Sequence, residues 1–339
     1  MHAGRNYTLR EVTLWTRRET FVFFLIAGPP TAAYALLDWK WLGLPWLPIA
    51  LLGTAVAFIT GFKNNASYDR AWEARKVWGA IVNSSRIWGS MVIDFVTNLH
   101  AQAPVADQVL EDKRRRLVHR HIAWLAALRF QLRQPRVWET QEHKANVEYR
   151  QKFEVAEEVG ELGDELLDLL AETDCQHVRG KANTATQILA TQSHELRELR
   201  LAGLIDDFRH MELQKVLSDL YVHQGKCERI KNFPYPRQFA TLNLIFVWLF
   251  ILLAPFGLLP EFAELGKHGE WLTIPFSMLV SWIFHTIDKI GSASENPFEG
   301  GANDTPITAL SRTIEIDLRE MLGEQNVPKP LGPVNHILM

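Results

Sequence analysis

Three residues of one apolar segment, Thr54, Phe58 and Phe62, follow one another at four-residue intervals. On an α-helix this spacing places the three side chains on one continuous face. Such a face can pack against a neighbouring helix. If several copies of the chain surround one axis, it can instead form a narrow apolar ring that sheds water and gates ion flow. The spacing alone favours packing against a neighbour.

Two pairs of ionisable residues offer other chemistry. His119 and His121 are two residues apart and point to different sides of a helix, so they cannot share a metal without a third element. His285 and Asp288 are three apart, and a proton relay is the functional alternative for such a pair inside a membrane. Both lie at the inner end of a predicted membrane helix, where water reaches, which favours a structural role.

Motifs for enzyme chemistry are missing from the sequence. It has no GxSxG, HExxH or GxGxxG motif, and Cys175 and Cys227 form no CxxC pair. With 36 Lys and Arg against 39 Asp and Glu, the net charge of -3 gives no basic footprint for nucleic acid. We therefore predict no enzymatic activity, no cofactor, no metal site and no nucleic-acid partner.

The apolar residues are concentrated in four runs without charged side chains. Two of these runs are 22 residues long, which corresponds to about 33 Å of helix and suffices for a bilayer core of about 30 Å. We predict four transmembrane helices in a lipid bilayer. The runs are 21–37, 41–62, 239–260 and 271–287.

The charges that flank the runs predict the topology. Lys and Arg residues cluster before the first run, after the second, before the third and after the fourth, whereas the loop between the last two is acidic on balance. By the positive-inside rule, both termini and the long middle segment lie in the cytoplasm of a multi-pass protein of the cell inner membrane. A cleavable signal peptide is the less favoured alternative for the first run.

The predicted domain organisation follows from these boundaries. We assign 1–20 to a cytosolic amphipathic segment, 21–62 and 239–288 to membrane helices, 63–238 to a helical cytosolic domain and 289–339 to a cytosolic tail. Within the middle segment, Leu201, Leu204, Ile205 and Phe208 are predicted to form one helical stripe, and 154–172 an acidic amphipathic helix. Strand patterns are nearly absent, so the predicted fold class is an all-α membrane protein.

Four segments of the sequence resemble the bestrophin family of ion channels. The segment KNNASYDRAWEARKVWG at 63–79 resembles the signature of bacterial bestrophin homologues, as do CERI at 227–230 and PYP at 234–236. The segment NPFE at 296–299 is similar to one found in animal bestrophins. All four occur in the expected order relative to the apolar runs, and the resemblance extends over essentially the whole chain.

The resemblance implies a homopentamer with a single pore along its five-fold axis. In bestrophins, three residues of the second membrane helix line a hydrophobic neck, and these correspond here to Thr54, Phe58 and Phe62. The outermost position is threonine, where relatives commonly have an aliphatic residue. A second, cytosolic aperture formed by one apolar residue falls near Phe208 or Ile205.

The resemblance leaves the permeating ion open. Five copies of Asp206 and Asp207 would form an acidic ring that favours cations, and five copies of Lys63 would act in the opposite direction. Small anions such as chloride are the commonest substrate of the family, and we predict an anion channel. A cation (sodium)-selective channel is the alternative. A secondary transporter is a distant one, because the sequence lacks internal repeats.

Calcium regulation is not expected. The clasp of animal bestrophins includes the Asn of NPF and an acidic run behind it. This chain keeps Asn296, but 300–304 carries a single carboxylate, Asp304, where the animal proteins have several. Calcium requires six to eight oxygen ligands. We therefore predict no tight calcium site and no activation by calcium.

Overall fold

The computed structural model describes residues 1–141 and 144–339, and within these ranges the chain is helical, with no β-strand. Isolated bridges, such as that between His2 and Ile337, are the only β-type pairing in these ranges. The all-α prediction is confirmed. The helices are α1 Leu9–Leu36, α2 Trp46–Phe95, α3 Asp107–Arg133, α4 Lys144–Arg150, α5 Ala156–Val159, α6 Leu162–Leu169, α7 Glu172–Val178, α8 Thr184–Leu201, α9 Asp207–Asn232, α10 Arg237–Ala263, α11 Thr273–Ser294 and α12 Ile307–Met321.

The chain divides into two compact units. The apolar unit consists of Gly4–Arg70 and Pro234–Asn296, and the polar unit of Met1–Ala3, Ala71–Phe233 and Pro297–Met339. The boundary falls inside the 50-residue helix α2. The five-segment organisation predicted from the sequence, with its cytosolic and membrane assignments, stays a prediction.

Three helical segments in the described ranges are long and apolar enough to cross a membrane. They are Leu9–Leu36, Lys40–Phe95 and Arg237–Ala263, which contain α1, α2 and α10. Helix α11 is 22 residues long but is not among them, since it carries the ionisable residues His285, Asp288 and Lys289 towards its end. The fourth membrane helix therefore stays a prediction.

In the apolar unit, α1 and α10 both pack against α11. Phe23, Val247 and Phe250 are among the buried residues of the core. Helix α2 joins this core at Gly53, where an added Cβ would lie 2.6 Å from Cε2 of Phe250. Because glycine has no side chain there, the ring of Phe250 can pack directly on the backbone of α2.

The core of the polar unit forms around large aromatic side chains. Trp78, Trp88 and Trp124 are fully buried. The indole nitrogen of Trp124 donates to the side-chain oxygen of Gln224 at 2.9 Å. Helix α3 packs against α8, α9 and α12 around these side chains.

The predicted single stripe from Leu201 to Phe208 is wrong. Helix α8 ends at Leu201 and α9 begins at Asp207. Between them Gly203 adopts a φ of +70°, a left-handed conformation that glycine adopts without steric cost. The carboxylate of Asp206 then accepts a 2.9 Å hydrogen bond from the Arg209 N–H and caps the new helix. This turn and cap interrupt the helical periodicity.

The predicted acidic helix over 154–172 is also wrong as a single element. The segment forms α5, α6 and the start of α7, separated by extended residues at Gly160 and Leu170. Each short helix buries residues of its own, Glu157 in α5 and Leu166 in α6.

Candidate pore helix and its supporting contacts

The predicted neck residues lie on an exposed face of α2 in the apolar unit. The side chains of Phe58 and Phe62 are 68% and 58% exposed, and their rings meet edge to face with centroids 4.6 Å apart. Thr54 is exposed on the same face, and its hydroxyl donates to the Ala50 carbonyl at 3.0 Å. In the single chain, therefore, the face that the spacing singles out is open.

The opposite face of α2 is buried. Val56, Thr60, Lys63 and Ser67 recur at three- and four-residue intervals and are each 3% exposed or less. This face holds the helix against the rest of the apolar unit. Of the two faces, therefore, the exposed one is the face of α2 that could line an axis shared with other copies of the chain.

Lys63 lies on the buried face. Its ammonium group is 2.6 Å from Oδ1 of Asp288 and donates to the Ser292 hydroxyl at 2.7 Å. Within the single chain, therefore, the charge of Lys63 is buried and paired, and its predicted role at the pore mouth stays a prediction. The physical reason is that a carboxylate on α11 compensates the ammonium charge, which allows the side chain to be buried.

Asp288 also accepts a bond from the amide of Asn243 on α10, at 2.6 Å. The amide oxygen of Asn243 in turn accepts from the Thr60 hydroxyl at 3.0 Å. Asn243 is not among the residues predicted from the sequence. A single amide within the otherwise apolar run 239–260 was the available signal, because a buried amide requires hydrogen-bond partners.

His285 does not pair with Asp288 as the relay alternative would require. Its ring packs against Phe23 and Trp248, with centroids 5.6 Å and 5.5 Å away. Glu295, which follows α11, forms a second contact between helices. Its carboxylate lies 2.6 Å from the guanidinium of Arg237 on α10, and its backbone carbonyl accepts a hydrogen bond from Arg70 on α2 at 2.9 Å.

The two aperture candidates differ in exposure. Phe208, in the first turn of α9, is 83% exposed, whereas Ile205 is 1% exposed and belongs to the core of the polar unit. Within the single chain, therefore, Phe208 is open and Ile205 is covered, and the aperture assignment stays a prediction. The turn at Gly203 is the cause, since it directs Ile205 inwards instead of continuing the helix.

The acidic neighbours of Phe208 are paired within the chain. Asp207 forms an ion pair with Arg200, and Asp206 lies 3.4 Å from Arg209. Hydrogen bonding from the Arg209 backbone N–H lowers the pKa of the Asp206 carboxyl. These arginines offset the negative charge on which the acidic-ring prediction depends.

Two buried carboxylates of the polar unit follow the NPF segment. Glu299 accepts from the backbone N–H and the hydroxyl of Thr140 at 2.9 and 2.7 Å. Asp304 accepts from Arg133 at 3.2 Å and from the Gly300 N–H at 2.7 Å. Burial raises the pKa of Glu299 to about 7. Both carboxylates thus bind protein donors, and the absence of a calcium site stays a prediction.

The two histidines of α3 have separate partners. Nε2 of His119 lies 2.8 Å from Glu324, and Nε2 of His121 lies 2.8 Å from the Ser85 hydroxyl. Complete burial lowers the pKa of His121 to about 3. Among the residues described, no group of three or more His, Cys, Asp or Glu side chains is placed to hold a metal ion.

Comparison with known proteins identifies the family. The sequence model described as Bacterial/Fungal Bestrophin protein matches residues 12–320. The chain therefore belongs to the bacterial and fungal bestrophin family, as its motifs predicted. Together with the apolar helices, this membership indicates a membrane protein and points to a channel rather than an enzyme.

Individual relatives agree with this assignment. The chain is 29% identical over 289 residues to the voltage-dependent anion channel-forming protein YneE of Escherichia coli (strain K12), covering 85% of this chain and 81% of that protein. It is 29% identical over 283 residues to the voltage-dependent anion channel-forming protein mll4386 of Mesorhizobium japonicum, covering 82% and 75%.

A solved structure shares the fold. The crystal structure of a bacterial bestrophin homolog from Klebsiella pneumoniae superimposes with a TM-score of 0.74 at 25% identity, covering 91% of this chain and 99% of that chain. The helical architecture of this protein is therefore that of a bacterial bestrophin.

Proposed function

We propose that this protein is an anion channel in which five copies of the chain place α2 around one central pore. Each subunit crosses the cell inner membrane four times, with α11 as the fourth span and both termini in the cytoplasm. Thr54, Phe58 and Phe62 line the neck, and chloride is the representative permeating ion. The observation that carries the proposal is the contrast between the open and buried faces of α2.

The chemistry of the open face suits a hydrophobic gate. The side chains of Phe58 and Phe62 are more than half exposed within the single chain. Around a shared axis they would form two stacked rings of aromatic side chains. Such a constriction excludes water when narrow, and the weakly positive ring edges are available to an anion.

The charges near the proposed pore do not favour cations. Asp206 and Asp207 are paired with arginines, and Lys63 is paired with Asp288. Anion preference therefore rests on the aromatic neck in this proposal. The names of the relatives, which describe anion channel-forming proteins, support the same ion class.

The ion class is tested by the reversal potential of purified protein in a planar bilayer under a potassium chloride gradient. We expect discrete single-channel steps that reverse near the chloride equilibrium potential. A reversal near the cation equilibrium potential would replace the proposal by a cation-selective channel of the same fold. Flux without discrete steps would indicate a transporter.

The pore helix is tested by Phe62→Ala, with Phe239→Ala on α10 as a matched control. Phe239 is 61% exposed, close to the 58% of Phe62, so the two substitutions remove similar exposed rings. We expect a higher single-channel conductance in Phe62→Ala only. Unchanged conductance in Phe62→Ala would place the pore elsewhere, and the mass of the detergent-solubilised complex tests the pentamer directly.

A further inference from the structure

Four buried polar side chains join three helices of the apolar unit behind the proposed pore face. Thr60 and Lys63 belong to α2, Asn243 to α10 and Asp288 to α11, and we call these four residues the α2 clamp. Each is 3% exposed or less. Their hydrogen bonds form a chain that begins and ends on α2, from Thr60 to Asn243, from Asn243 to Asp288, and from Asp288 to Lys63.

We infer that the α2 clamp sets the rotation of α2 and thereby aims Phe58 and Phe62 at the pore. Its members are positioning residues that do not touch the permeating ion. This inference rests on the proposed function, because it concerns what orients the neck residues of the same pore.

The geometry resists rotation of the helix. Thr60 and Lys63 are three residues apart, so both contacts lie on one side of α2 but on successive turns. Turning α2 by about 30° would move its surface, about 5 Å from the axis, by roughly 3 Å. A displacement of that size breaks the 2.6 Å bond from Lys63 to Asp288. Any change in the direction of the neck therefore requires opening of the clamp.

The backbones of α2 and α11 also approach closely at this level. A Cβ added at Gly291 would collide with the side chain of Asn64, the residue after Lys63. Glycine thus permits the contact that brings Asp288 within reach of the ammonium group.

An ion pair in this position is not explained by stability alone. Apolar replacements of a buried ion pair are often as stable as the pair itself, because burial removes both charges from water. What a buried ion pair can add is one defined arrangement of the groups that carry it, because any other arrangement leaves a buried charge unpaired. In α2, the orientation that it defines is that of the neck face.

The inference is tested by thiol accessibility in the reconstituted channel. Cysteine is introduced at Phe58 on the open face or at Val56 on the buried face, and the rate of current block by a charged, membrane-impermeant thiol reagent is measured. The native Cys175 and Cys227 are both buried, and protein without an added cysteine gives the background rate. We expect Phe58→Cys to react about tenfold faster or more, because Val56 is close-packed.

The clamp is then opened by combining Lys63→Met with Asp288→Asn, which removes both charges and the bond between α2 and α11. We expect the ratio of the two reaction rates to fall towards one while the mass of the complex is unchanged. A ratio unchanged from that of the intact clamp would overturn the inference. If neither cysteine gives current block with the clamp intact, the proposed pore itself is wrong.

The matched control is the ion pair between Glu19 on α1 and Lys289 on α11, 2.7 Å apart, which does not involve α2. Combining Glu19→Gln with Lys289→Met should leave the ratio unchanged, and an equal fall would show a general loosening and overturn the inference. If the clamp variant does not assemble, Thr60→Val removes one bond of the α2 clamp and is measured in the same way. A smaller fall in the ratio supports the inference and no fall overturns it.

Discussion

Replacing His121 with glutamine should remove one of the contributions that destabilise the protein at acidic pH. The imidazole is 1% exposed, and its ring centroid lies 5.2 Å from that of Trp124 and 6.2 Å from that of Trp88. Its one hydrogen bond in this core is to the hydroxyl of Ser85. Removal from water lowers the pKa of His121 from 6.5 to about 3, so the folded protein holds the ring neutral.

The sign and size of the effect follow from this shift. Because the pKa of His121 is lower in the folded state, the contribution of this group to the free energy of unfolding is fully present above pH 6.5. That contribution is lost as the pH falls towards 3. At pH 5 the unfolded chain binds a proton that the folded chain does not, which costs about 2 kcal/mol relative to pH 8. For a unit of this size, that corresponds to a shift of about 4–8 °C in the unfolding midpoint.

The assay is thermal unfolding of detergent-solubilised protein at pH 8 and pH 5, at one scan rate. The drop in midpoint on acidification should be about 4–8 °C smaller in His121→Gln than in the unmodified protein. Ser85→Ala is the control, because it removes the hydrogen-bond partner but not the titrating ring, and it should keep the full drop. An equal drop in His121→Gln and the unmodified protein would refute the buried neutral imidazole.

Two further substitutions give separate tests. Glu299→Gln should act in the opposite direction. The pKa of Glu299 is raised from 4.5 to about 7, so the contribution of this group to stability is present below pH 4.5 and is lost as the pH rises through 7. The same unfolding assay should show that the variant avoids a loss of about 2 kcal/mol between pH 5 and pH 8, and an unchanged pH slope would contradict this. Gly53→Ala should lower the midpoint by the equivalent of about 1–3 kcal/mol, because the new Cβ meets the ring of Phe250. Combining it with Phe250→Leu should restore part of that loss relative to the sum of the single changes, whereas strict additivity would show that the ring is not the obstacle.

Much of the architecture was predictable from local pattern. Apolar runs, flanking charges and helical periodicity are properties of short stretches, so the all-α fold and the face bearing Thr54, Phe58 and Phe62 could be read directly from the residues. Four motifs in order predicted the family. The same periodicity failed near Gly203, where a left-handed turn and the Asp206 cap end one helix and start another.

The placement of charge was decided by tertiary structure. Lys63 follows Phe62 directly in the sequence, yet its partner Asp288 lies 225 residues away, and no local pattern indicates that pairing. Ile205 is likewise buried because the segment turns inwards, not because its own residue type differs from that of the exposed Phe208. A periodic pattern defines the faces of a helix, but only the packing of distant segments determines which face is covered and which charge is neutralised.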